Sequence, residues 1–153
     1  MKHVIIALSL LTFAQVSTGA SSTELKPAPA ADSTVARLDT FNQQLLVIQQ
    51  TWSVNNYQLQ GGAQATAFEA LLAQTTQFTR DYPQRAEAWV WQGIVQSTFA
   101  GIKGGLGALS LAKAAKQSLE TAIKLDPAAL AGSALTSLGT LYHKVPGWPI
   151  GFG

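Results

Sequence analysis

His143 is the one histidine beyond residue 3, and the chain holds no cysteine. A zinc site needs three or four nitrogen, sulfur or carboxylate donors in one place, and here the carboxylates are scattered. Serines are common and Asp126 could orient His143, but the Gly-x-Ser-x-Gly turn that exposes a nucleophile is absent. His143 falls instead where a helix would end, a position that the helix dipole favours for a cation. Asp81 and Glu87 straddle Pro83 and suit helix ends better than proton exchange. Gly101 to Gly107 has the glycine density of a phosphate loop. It lacks the Gly-Lys-Ser/Thr ending and follows a helix rather than a strand, so it reads as an interhelical turn with Lys103 in solvent. The expectation is therefore no catalytic residue, no metal ligand and no cofactor.

The aromatic and amide side chains offer recognition instead. Trp52, Trp89, Trp91, Phe99, Tyr142 and Trp148 exceed what a small core needs. Trp89 and Trp91, two apart on a helix, cannot share a face. One is expected against the second helix and the other toward the fourth helix or a groove. Gln92 and Gln96 lie one turn apart on that helix and would offer amide donors and acceptors to a bound chain. Trp89, Gln92, Gln96 and Tyr142 are the candidate partner contacts.

These residues need elements to hold them, and the composition says which. Apolar residues make up 47% of the 153 and charged residues only 12%, about half the usual share. The difference is made up by Ala, Gln, Ser and Thr, which suits closely packed helices. The formal charge of +2 gives no basic field for a phosphate backbone, so nucleic acid is not an expected partner. Met1-Lys2-His3, an apolar run over Val4–Phe13 and the small residues Thr18-Gly19-Ala20 match an export signal over 1–20. The run is shorter than the ~20 residues of a membrane span. An exported chain without cysteine must be held by packing alone, which fits a bacterial periplasm best.

A flexible spacer is expected over 21–32, with Asp32 or Ser33 capping the first helix. Val35, Leu38, Phe41, Leu45, Ile48 and Trp52 recur at helical spacing, and that helix fades near Asn55-Asn56. A second helix follows from about Gln64 to Arg80, stopped by Pro83. The third, about Arg85 to Gly101, is apolar nearly all round, the mark of a helix sandwiched between others. The fourth runs from about Leu106 to Leu125, with Leu106, Leu109, Ala112, Ala115, Leu119 and Ala122 inward, and stops at Asp126-Pro127. The fifth covers about Ala129 to His143. The helical domain thus spans 33–145, and 146–153 forms a terminal turn.

Helices of this length, paired and closed by proline, resemble tetratricopeptide repeats. Trp89 and Gly93 resemble the early Trp and the Gly of the repeat's first helix; Ala115, Leu119, Ala122 and Pro127 resemble the Ala, large apolar, Ala and Pro of its second. At such positions Gly93 lets two helix backbones approach closely, and Ala122 does the same on the partner. Leu135, Leu138-Gly139 and Tyr142 open a second partial match. Pro83 and Pro127 lie further apart than the family's period of about 34 residues. Gln92 and Gln96 stand where the family has a Leu and an aromatic residue. The Gly-rich turn and the Val145–Gly153 ending are similar to exported bacterial repeat proteins and, more loosely, to the helical periplasmic component associated with tripartite transporters.

The resemblance implies an all-α fold of antiparallel helix pairs in a short right-handed superhelix. It implies a non-enzymatic, exported module that binds a protein or peptide, or associates with itself. The alternative is a transporter accessory holding a small apolar ligand between helices. Arrays of this kind normally end on a capping helix, so the turn at 146–153 is expected to lead toward a further or partner-supplied helix.

Overall fold

The computed structural model describes residues 29–147 and 151–152. The expected export signal, most of the spacer and Trp148 lie outside them. The described chain is all-helical: α1 (Pro29–Tyr57), α2 (Gly61–Asp81), α3 (Ala86–Lys103), α4 (Gly105–Leu125) and α5 (Ala129–Lys144), with no strand among the described residues. All five expected helices are present, within a few residues at most ends.

The stops follow from local chemistry. Pro83 lies in the turn after α2, and the Tyr82 and Arg85 N–H groups close that turn on the Phe78 and Tyr82 carbonyls. Asp126 receives the Ala128 N–H on its carboxylate at 2.8 Å, so it turns the chain from α4 into α5 beside Pro127. That contact gives Asp126 a structural task away from His143.

Five expectations need correction. α1 starts at Pro29, ahead of the caps expected at Asp32 or Ser33. It is 29 residues long against 21 for α2, and Val35 and Leu38 of its inward stripe are exposed. The Gly-rich break shrinks to one residue: α3 runs to Lys103, Gly104 adopts φ +62°, and α4 begins at Gly105. Glycine is required there because an L side chain is strained at that φ. Leu106, expected inward, is 90% exposed because it sits in the first turn of α4, where no neighbour covers it. Finally, Leu130, Ala131 and Gly132 have left-handed backbone at φ 50°, 55° and 76°, so α5 is regular only from Ser133.

α3 organises the packing. It touches all four other helices, while α2 and α4 flank it without touching each other. Its Ala88, Val95 and Phe99 enter one apolar cluster with Phe41, Ile48 and Phe68 of α1 and α2. Its Val90 and Ala100 enter a second with Ala115, Leu119 and Leu141 of α4 and α5. A helix that feeds two cores must be apolar on two sides, which explains its nearly uniform hydrophobicity. Gly93 sits at the α3–α4 contact: a Cβ there would lie 2.6 Å from Leu119 Cγ and 3.3 Å from the Ala115 carbonyl oxygen.

Candidate functional site

Where α2 and α4 stand apart, α3 forms the floor of a groove of about 430 Å³. Trp89, Gln92 and Gln96 come from α3, Thr76 and Arg80 from α2, and Gln117 and Ser118 from α4. Three of the four candidate contacts therefore meet in one place. Tyr142 does not join them. It lies on α5 with its ring 5.6 Å from that of Phe152, and Lys116 stands 5.9 Å from both rings. The cause is rotation around the bundle: α5 packs on the α4 side of α3, away from α2.

The floor is built from buried amides. Gln92 is 6% exposed and Gln96 is 8% exposed. The Thr76 hydroxyl donates to the Leu72 carbonyl at 2.8 Å, so toward Gln92 it can only accept. That fixes the Gln92 amide: its Nε2 donates to Thr76 Oγ1 at 3.1 Å and its Oε1 faces the other way. Oε1 is buried and has no hydrogen-bond partner among the described residues. A buried polar atom left so costs about 1–3 kcal/mol, which folding alone gives no reason to keep.

Gln96 complements it one turn on. Its Oε1 accepts the Ser118 hydroxyl at 2.8 Å, leaving its amide N–H groups without a partner among the described residues. Thr79 and Thr121 donate their hydroxyl protons to the Thr76 and Gln117 carbonyls, so toward the groove they too offer lone pairs. Arg80, exposed at the rim, is the one charged residue lining the groove and has no ion-pair partner among the described residues. Trp89 forms part of the wall, and its indole N–H is committed to the Pro83 carbonyl at 2.9 Å. Trp91 lies on another side of α3, edge-on to Trp52 of α1 at 6.0 Å. The fourth-helix or groove placement expected for one of the two indoles fits Trp89. The other indole meets α1 rather than α2.

Thr76, Arg80 and Gln117 escaped the sequence reading. A signal was available: Thr76 and Arg80 are four apart on α2, as are Gln117 and Thr121 on α4, so each helix carries a polar strip. Only the fold shows that both strips face the same gap.

Among the further concavities around α3, two are of similar or greater size. One, of about 420 Å³, is lined by Gln49 and Trp52 of α1, Trp91 and Ile94 of α3, and Leu130 and Ser133 of α5. The Trp91 indole nitrogen is buried and unpartnered among the described residues. The other, of about 540 Å³, is a notch with Gly101, Ala108 and Leu141 among its walls and Lys144 beside it.

No group of three or more His, Cys, Asp or Glu side chains comes together among the described residues. Several of the acids are engaged structurally. Glu87 takes two hydrogen bonds from Arg85, at 2.9 and 3.2 Å, and this hold lowers its carboxyl below the ordinary pKa against the opposing effect of burial. Asp81 accepts the Gln77 amide at 2.8 Å. His143 lies in the last turn of α5. None of the described helices is long and apolar enough to cross a membrane. Against known proteins, no family model, no curated protein and no solved structure matches this chain.

Proposed function

We propose that this chain is an exported, non-enzymatic helical-repeat module that binds a segment of protein or peptide in the groove between α2, α3 and α4. The observation that carries the reading is Gln92, which lines the groove floor with its carbonyl oxygen buried and unpartnered among the described residues, one turn from Gln96, whose amide N–H groups also have no partner among them. A main chain in extended form presents N–H and C=O groups along one edge, and such a floor can bond both. The repeat reading is supported by the packing order. Each helix meets the next, α1 meets α3, α3 meets α5, and α2 and α4 do not touch. In a tetratricopeptide-like array the first helices of successive units would contact in this way. Gly93 against Leu119 matches the close approach that the resemblance implies.

The test is selection of displayed random dodecapeptides on the immobilised protein, run beside the Gln92→Ala/Gln96→Ala variant. The reading expects a family of peptides enriched on the wild type and lost on the variant. Identical enrichment on both proteins would remove the groove from the account.

A second reading, a transporter accessory holding a small apolar ligand, draws on the notch walled by Gly101, Ala108 and Leu141. A rise in melting temperature with apolar ligands, abolished by Ala108→Phe, would favour it.

A further inference from the structure

Gln92 of the groove floor has a carbonyl oxygen without a donor and no acid lines the groove, and together these describe what it takes. We infer that the segment bound between α2, α3 and α4 is acidic, with a neutral main-chain N–H on Gln92 Oε1 and a carboxylate on Arg80. This inference rests on the peptide-binding reading and narrows it to a ligand class.

Gln92 Oε1 needs a donor, because the Thr76 lone pair already holds the other end of that amide. An ammonium or guanidinium could supply one, but a cation inside the groove would find no carboxylate on its walls and would meet Arg80 at the rim. A neutral N–H satisfies Oε1 without that repulsion. The floor then returns a donor through Gln96, whose own carbonyl is occupied by Ser118, so the arriving group must also carry an acceptor. An amide carries both.

Arg80 sets the charge. Arg85 is engaged with Glu87 and the Phe41 ring, Lys116 with Glu120, and Lys103 over Phe99, whereas Arg80 is the one cation that lines this groove. Arg80 faces a groove without acids and holds a planar fork of donors that matches a carboxylate. The carboxylate can come from an Asp or Glu side chain or from a free C-terminus, and the two sources are separable.

The probe is the random dodecapeptide library, displayed in two forms, one with its C-terminus free and one with it fused. The selection is run on the wild type, Arg80→Gln and Gln92→Leu. A side-chain carboxylate predicts Asp and Glu enriched several-fold over the input in both forms. A terminal carboxylate predicts enrichment only in the free form. Either way, Arg80→Gln loses the acid bias but still retains peptides, because the amide contacts remain, and Gln92→Leu loses the peptides themselves. Binding of selected acidic peptides should fall about fivefold in Arg80→Gln, the scale of a partly exposed ion pair. Enriched peptides without acid bias, or with Lys and Arg bias, would overturn the acidic class while leaving the peptide reading standing. Enrichment untouched by Gln92→Leu, or absent altogether on the wild type, would overturn both.

Discussion

Gly93 and Leu119 meet so closely that a single methyl group on Gly93 would lie 2.6 Å from Leu119 Cγ and 2.7 Å from its Cδ2. This contact sets the distance between α3 and α4, and with it one wall of the groove. Gly93→Ala should destabilise the protein by about 1–3 kcal/mol through overpacking. Leu119→Ala should cost about 2–5 kcal/mol alone, since Leu119 is fully buried. The double variant should fall well short of the sum, because the shorter side chain accepts the new methyl. Urea unfolding of the four proteins measures the coupling; strict additivity would mean the two residues do not constrain one another.

Gln92 ties stability to binding. Replacing it with Leu keeps the approximate volume, removes the orphaned carbonyl oxygen and gives up the bond to Thr76. The first change favours folding by about 1–3 kcal/mol and the second costs about 1 kcal/mol. Gln92→Leu should therefore unfold at slightly higher urea than the wild type while losing the selected peptides. A variant that loses stability as well as binding would show that Oε1 already has a partner in solution.

The left-handed backbone at the start of α5 is strained at two residues. Leu130 and Ala131 have φ of 50° and 55°, a region that costs an L-residue about 1–2 kcal/mol. Ala131 is exposed, so Ala131→Gly removes little packing. It should stabilise the protein by up to about 1 kcal/mol, where the same change inside a regular helix would cost about as much. A loss of that size would instead place Ala131 in ordinary helix.

The Arg85–Glu87 pair predicts an acid limb in the stability curve. Arg85 also stacks over Phe41 with its guanidinium carbon 3.9 Å from the ring centre, which joins the start of α3 to α1. The folded state holds Glu87 below its ordinary pKa of 4.5, chiefly through the Arg85 hydrogen bonds. Its stabilising contribution is thus fully present above that value and is lost as the pH falls through the lowered folded value. Denaturation midpoints for wild type and Glu87→Gln should differ at neutral pH and converge in acid. A constant difference down to low pH would contradict the pairing.

How far the sequence carries these conclusions differs by residue. The five helices were legible because Pro83 and Pro127 stop them and because apolar residues recur at helical spacing between the stops. Gly93 was legible as a close-approach residue because it stands at the repeat's Gly position after Trp89, although the residue it meets most closely is Leu119 rather than Ala122. Half of the groove was legible, since Gln92 and Gln96 share a face by their spacing alone. What was hidden depends on rotation and long-range pairing. Periodicity says which residues share a face, but not which neighbour that face meets. Spacing therefore leaves Tyr142 a candidate contact alongside Gln92, though it lies with Phe152. Thr76 and Ser118, which fix the two glutamine amides, come from helices on either side of α3. The left-handed turn at Leu130 was hidden because neither Leu nor Ala signals it; only Gly132 is a usual occupant of such backbone.

The account rests on the α2–α3–α4 groove, and side-chain amide NMR tests it most directly. The ¹⁵N-labelled protein is titrated with the peptide most enriched in the selection, and the Gln side-chain resonances are followed. The account predicts that the largest shifts fall on the Gln92 and Gln96 amides, with Arg80 Nε moving alongside. Shifts centred on Trp52 and Trp91, or around Leu106 and Lys144, with Gln92 unmoved, would contradict it.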